Sequence, residues 1–122
     1  MTSIEEELYR ENIIEHYKNP QNKGVLEPHD AKERGVNPNC GDMLTMYIQK
    51  ENGKIKDISF EGQGCAISIA GASMLTEFVK GKKLSDVADI KEGKVFELLG
   101  VNVNPAREKC ALLAFNTIQK LV

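Results

Sequence analysis

What this chain of 122 residues lacks narrows its class early. No apolar run reaches the roughly 18 residues that would mark a membrane-spanning helix. Lys and Arg number 16 against 18 Asp and Glu, a formal charge of −2, so there is no basic excess to argue for nucleic acid. The N-terminus, with Glu5, Glu6 and Glu7 in succession, lacks the apolar stretch of a signal peptide. There is no internal repeat and no low-complexity segment. The three cysteines are an odd number, which argues against a closed disulfide framework, and no two form the Cys-x-x-Cys knuckle of common zinc modules. Free thiols fit a reducing, cytoplasmic compartment. The remaining composition is ordinary for a globular protein, and the length suits one domain over residues 1–122.

The chain pattern predicts an α+β fold: a small three-stranded antiparallel sheet packed by an N-terminal helix and C-terminal helices. Residues 4–18 read as an amphipathic helix with Ile4, Leu8, Ile14 and Tyr17 on its apolar stripe, Ser3 as cap and Glu6 completing a capping box. Asn19-Pro20 stops it. Residues 19–39 read as a long, mostly irregular connection, with a third strand placed near Arg34–Pro38. Met43–Lys50 and Lys54–Glu61 alternate as strands around Asn52-Gly53, a hairpin turn in which both residues tolerate positive φ. The alternation of the second strand slips near Lys56-Asp57. Ile67, Ala70, Met74, Leu75 and Phe78 mark a helix over 66–80, ended by Gly81. Leu84–Ile90 and Val95–Leu99 read as short helices. Asn104 caps the last one, Pro105 suits its first position, and Ala111, Leu112, Ala114, Phe115, Ile118 and Leu121 form its apolar face.

On this map the cysteines fall where the backbone changes character. Cys40 lies just before the first hairpin strand, Cys65 at the start of a helix, and Cys110 between one and two turns inside the last helix. A hairpin brings the start of its first strand beside the end of its second, so Cys40 and Cys65 are expected to be neighbours, and the last helix can carry Cys110 to the same end. Asp42 stands two residues after Cys40 and in extended backbone points the same way. Cys40, Asp42, Cys65 and Cys110 therefore form a candidate S3O ligand set, suited to zinc or to an iron–sulfur cluster. A free cysteine is often an inert core residue. Cys40 and Cys65, however, sit in polar, glycine-rich stretches. The positive helix end lowers the pKa of a thiol at the position of Cys65. Arg107, three before Cys110, is expected on the same helical face, where it can hold an anion or stabilise a thiolate or persulfide. Lys109 points about 100° away around that helix. His16 and His29 read as solvated, Met43, Met46 and Met74 as core filling, and Lys80-Gly81-Lys82-Lys83 as a solvated helix end.

Four stretches carry a resemblance: His16-Tyr17-Lys18-Asn19-Pro20-Gln21-Asn22-Lys23-Gly24, Asn37-Pro38-Asn39-Cys40-Gly41-Asp42, Gly62-Gln63-Gly64-Cys65-Ala66-Ile67-Ser68 through Ala72-Ser73-Met74, and Pro105-Ala106-Arg107-Glu108-Lys109-Cys110-Ala111. Together they resemble the iron–sulfur cluster assembly proteins of the IscU/SufU/NifU N-terminal family over nearly the whole chain. The resemblance implies a three-stranded sheet packed by helices, with a metal or cluster site at one exposed end. It also implies sulfur arriving as a persulfide from a PLP-dependent cysteine desulfurase, apo iron–sulfur proteins or later carriers as acceptors, and a frataxin-like protein as a further candidate partner. IscU members carry His immediately before the third cysteine and a Leu-Pro-Pro-Val-Lys segment. Here those positions hold Lys109 and Val103-Asn104-Pro105-Ala106-Arg107, a pattern similar to SufU. SufU members carry an insertion between the second and third cysteines that this chain lacks, so it is SufU-like at the site and IscU-like in length.

The expected activity is iron–sulfur cluster assembly at a Cys3Asp site holding zinc, iron or a [2Fe-2S] cluster. By resemblance to SufU, Cys40 is the candidate sulfur acceptor, and Cys110 is its rival by resemblance to IscU. A zinc-dependent sulfurtransferase that only relays sulfur is the alternative, favoured by Lys109. A zinc-stabilised binding module without sulfur chemistry is a third reading, disfavoured by the carboxylate ligand and the scattered cysteines.

Overall fold

Asn52 and Gly53 both take positive φ, 54° and 74°, and fold the chain back between two strands of ten residues. The computed structural model describes residues 4–39 and 41–122. In chain order these form α1 (Ile4–Lys18), β1 (Ala31–Asn37), β2 (Asp42–Glu51), β3 (Lys54–Gln63), α2 (Ala66–Val79), α3 (Leu84–Ala88), α4 (Glu92–Leu99), a 3-10 turn at Pro105–Arg107, and α5 (Glu108–Gln119). The sheet is antiparallel with order β1-β2-β3. The α+β expectation is correct.

Period-two alternation turns Leu44, Met46 and Ile48 of β2 inward, against Ile58 and Phe60 of β3, and all five are buried. Gln49 pairs with Asp57 and Lys50 with Ile55, which leaves Lys56 as the extra residue of a bulge where the alternation slips. Helices α2 and α5 cover this face: α2 packs on β3, α5 on β1 and β2, and α1 and α4 pack outside α2. Burying a side chain such as Phe60, at 0% exposure, contributes about 1.5–3 kcal/mol.

The third strand expected near Arg34–Pro38, in the otherwise mostly irregular stretch 19–39, is the edge strand β1, which starts earlier and runs Ala31–Asn37. Its sequence, AKERGVN, hides the early start: the inward positions are Ala31, Glu33, Gly35 and Asn37, not an apolar series. The apolar stripe assigned to α1 is wrong. Ile4, Leu8, Ile14 and Tyr17 are exposed, and the packed face runs through Tyr9, Ile13 and His16. Tyr9 packs directly against Gly100, where a Cβ would meet its ring at 2.1 Å. The expected Ser3 cap lies outside the described residues.

Smaller differences concern helix ends. The short helices run Leu84–Ala88 and Glu92–Leu99, and Pro105–Arg107 is a separate 3-10 turn before α5. Asn104 caps that turn, accepting from the Ala106 N–H at 2.9 Å. Met46 and Met74 fill the core as expected. Lys82 is half-buried rather than solvated, its ammonium 4.5 Å from the Phe78 ring centre.

Candidate metal centre

Asp42 opens β2, in phase with Leu44 and Met46, so its side chain enters the layer between sheet and helices. Its cross-strand partner is Asn37, and the two are 2% and 5% exposed. Beyond β3, Gly64 turns the chain toward α2. A Cβ on Gly64 would lie 2.9 Å from Ser68 Cβ and 3.2 Å from Asp42 Oδ1, so glycine is what lets the carboxylate reach the helix end.

Cys65 is the N-cap of α2, whose first turn holds no acidic residue and no side-chain cap from Cys65 itself. Asp42 fills that role from the neighbouring strand. Its Oδ1 accepts the Cys65 N–H at 3.0 Å and its Oδ2 accepts the Ser68 hydroxyl at 2.6 Å. This satisfies an otherwise orphaned backbone donor and places negative charge at the positive helix end. The Ser68 hydroxyl also stands 3.5 Å from Cys65 Sγ. Cys110 is the third residue of α5 and fully buried, with the Asn37 amide donating to its sulfur at 3.5 Å.

Asp42, Cys65 and Cys110 each offer a ligand atom, and these atoms lie within 4.8 Å of one another. Bonds of 2.3 Å to sulfur and about 2.1 Å to oxygen give a tetrahedral zinc site edges of roughly 3.6–3.8 Å. The edge from Cys65 Sγ to Asp42 Oδ2 is already 3.9 Å, so this donor set fits such an ion with small adjustment. Cys40 lies outside the described residues. Burial pushes the Cys65 thiol up, but hydrogen bonds from the Ser68 hydroxyl and backbone, together with one from Cys110, outweigh it. They leave the thiol below its ordinary value despite the nearby Asp42 charge.

Other expected site residues fall differently. Cys110 is in the first turn of α5, not deeper, because the helix starts at Glu108. Arg107 closes the 3-10 turn and is exposed while Cys110 is buried, so the two do not share a helical face. Lys109 is exposed and lines a groove with Asn37, Asn39, Asn116 and Lys120. His16 and His29 are half-buried rather than fully solvated. His16 Nδ1 meets Ser73 Oγ at 2.7 Å, and His29 Nδ1 meets the Leu26 carbonyl at 3.0 Å with its ring edge-on to Tyr47. Sequence reading missed Ser68 and Asn37. Helical spacing from Cys65 points to Ser68. Asn37 needs the strand register.

These features define a small α+β protein with a thiol and carboxylate cluster at one end of its sheet. The chain belongs to the family described as the NifU-like N terminal domain, whose model matches residues 8–122. It is 38% identical to the zinc-dependent sulfurtransferase SufU of Bacillus subtilis, over 93% of this chain and 88% of that one. It is 35% identical to the iron–sulfur cluster assembly scaffold protein IscU 1 of Archaeoglobus fulgidus, over 94% of this chain and 74% of that one. A crystal structure from Fervidobacterium islandicum superposes with TM-score 0.75 at 30% identity, covering 90% of this chain and 93% of that one. That protein is provisionally designated an iron–sulfur cluster assembly scaffold for the SUF system. Among the described residues, no helix is long and apolar enough to cross a membrane.

Proposed function

We propose that this chain, as one domain, accepts persulfide sulfur from a PLP-dependent cysteine desulfurase at a metal site and supports [2Fe-2S] cluster assembly. The convergence of Asp42, Cys65 and Cys110 within 4.8 Å carries this reading. Cys40, two positions before Asp42, supplies the fourth ligand. Zinc, when bound, holds the thiols as thiolates and leaves a carboxylate as the ligand that exchanges most readily.

Cys40 is the first sulfur acceptor. Its thiolate attacks the outer sulfur of the partner's persulfide. The partner's S–S bond breaks, its cysteine leaves as a thiolate, and a new S–S bond forms on this chain. The complete burial of Cys110 supports this order, because an incoming persulfide has no path to it until the site opens. Arg107, exposed on the turn before α5, provides positive charge to steady the arriving persulfide. Apo iron–sulfur proteins or later carriers receive the product, and a frataxin-like protein is a further partner to test.

A zinc-bound relay that never builds a cluster is the second reading, supported by exposed Lys109 before Cys110. The test is to mix the protein with a cysteine desulfurase and cysteine, with and without iron. Persulfide is measured by mass and cluster by absorbance. A labile cluster that moves to an apo-acceptor supports assembly. Persulfide without cluster under reducing, iron-replete conditions supports the relay. Neither product, with zinc retained, sinks both.

A further inference from the structure

Ser68 lies in the first turn of α2 at 1% exposure, with its hydroxyl between two members of the cluster. It is 2.6 Å from Asp42 Oδ2 and 3.5 Å from Cys65 Sγ. A hydroxyl has one proton to donate: while Cys65 keeps its own proton, the shorter distance places the Ser68 proton on the carboxylate, and only a Cys65 thiolate competes for it. Asp42 is thus a buried carboxylate with donors on both oxygens: the Ser68 hydroxyl at 2.6 Å and, at the longer 3.9 Å, the Cys65 thiol on Oδ2, and the Cys65 N–H on Oδ1.

We propose that Ser68 is a positioning residue that eases release of Asp42 from the metal, by gripping Oδ2 once the carboxylate lets go. This deepens the function proposed above and rests on its assignment of Asp42, Cys65 and Cys110 as ligands. Burying a charged carboxylate without hydrogen bonds is costly. The released state is therefore accessible only because the fold keeps donors waiting for both oxygens. A charge-assisted hydrogen bond is strongest when its acceptor carries its full charge. A carboxylate shared with a cation offers less charge, so Ser68 stabilises the released form more than the ligated one. The net effect is weaker apparent zinc affinity and faster ligand exchange, which a sulfur-accepting site requires.

The opposite role is physically reasonable and separable. A partner that merely orients a ligand strengthens metal binding, and its loss costs about tenfold to a hundredfold in affinity. The two roles predict opposite signs for one substitution.

The full chain carrying Ser68→Ala is titrated with zinc against a chelator, and zinc release is timed. The expected result is a dissociation constant about fivefold to tenfold lower than wild type, with release slowed in parallel. Metal-free Ser68→Ala should melt below metal-free wild type, while its zinc-induced rise in melting temperature grows. A purely structural role would lower both forms alike and leave the affinity unchanged. Ser68→Thr, which keeps the hydroxyl, should restore wild-type affinity. Ser68→Gly removes the same hydroxyl with less bulk and repeats the test if the alanine variant does not fold. Unchanged or weaker zinc binding in the hydroxyl-free variants overturns the proposal. Asp42→Ala is the control for the underlying reading. If wild type binds no zinc, or Asp42→Ala binds it identically, the ligand assignment falls and this inference with it. If Asp42→Ala changes the affinity but the Ser68 variants do not, only the role of Ser68 falls.

Discussion

Gly35 of β1 lies so close to Thr117 of α5 that a Cβ on Gly35 would stand 2.0 Å from Thr117 Oγ1 and 3.2 Å from Leu113 Cδ1. This approach sets the height of α5 over the sheet, and with it the depth at which Cys110 faces Asp42. Gly35→Ala should lift the helix, destabilise the protein by about 1–3 kcal/mol and weaken zinc binding. Thr117→Ala removes the nearest clashing atom. The double variant should therefore recover part of both losses, a non-additivity measured by urea unfolding and chelator competition.

The two sides of α1 should respond differently to truncation. Ile13 is 6% exposed and Leu8 is 60% exposed. Ile13→Ala should cost about 2–4 kcal/mol, whereas Leu8→Ala should stay within about 0.5 kcal/mol of wild type, both read from urea midpoints. Equal losses would restore the stripe of Ile4, Leu8, Ile14 and Tyr17 as the packed face.

In metal-free protein, the lowered Cys65 thiol should react with iodoacetamide at pH values where an ordinary thiol, at 9.0, is still protonated. Peptide mapping should find Cys65 modified well before Cys110, which is 0% exposed. Zinc should protect Cys65. The linked stability has a definite sign. The folded value is depressed, so the contribution is complete above the unfolded value and is lost as pH falls through the folded one. A Cys65 midpoint at or above 9.0 would contradict this.

Tyr47 donates to Glu61 Oε1 at 2.5 Å on the sheet face away from the helices. That hydrogen bond, then burial and the charges of Glu61 and Glu27, raise the phenol above 10.0. The stability it contributes is complete below the unfolded value and is lost as pH rises through the raised folded value. Absorbance at about 295 nm should show one tyrosine of the folded protein ionising late. Glu61→Gln, which keeps an acceptor but removes the charge, should bring that midpoint down.

Local chemistry made much of this fold legible. Asn52-Gly53 announced the hairpin, the misfit at Lys56 announced the bulge, and the glycines before Cys65 announced the passage into α2. The site was legible for a related reason: Asp42, Cys65 and Cys110 each stand at an element boundary, and hairpin geometry brings boundaries together. The edge strand β1 was harder to see because its inward side carries Glu33, Gly35 and Asn37, whose burial depends on α5. The packed side of α1 was hidden because Tyr9 and His16 are chosen by Gly100 and Ser73, far away in sequence. Ser68 and Asn37 were missed because each gains its role only from a tertiary partner.

The cap that Asp42 places on α2 gives the protein a built-in reporter. One carboxylate oxygen holds the Cys65 amide proton, so whatever pulls that carboxylate aside also unfastens the first turn of the helix. Amide hydrogen exchange at Cys65 therefore reads out ligand traffic at the metal centre through the backbone, without following the metal or sulfur directly.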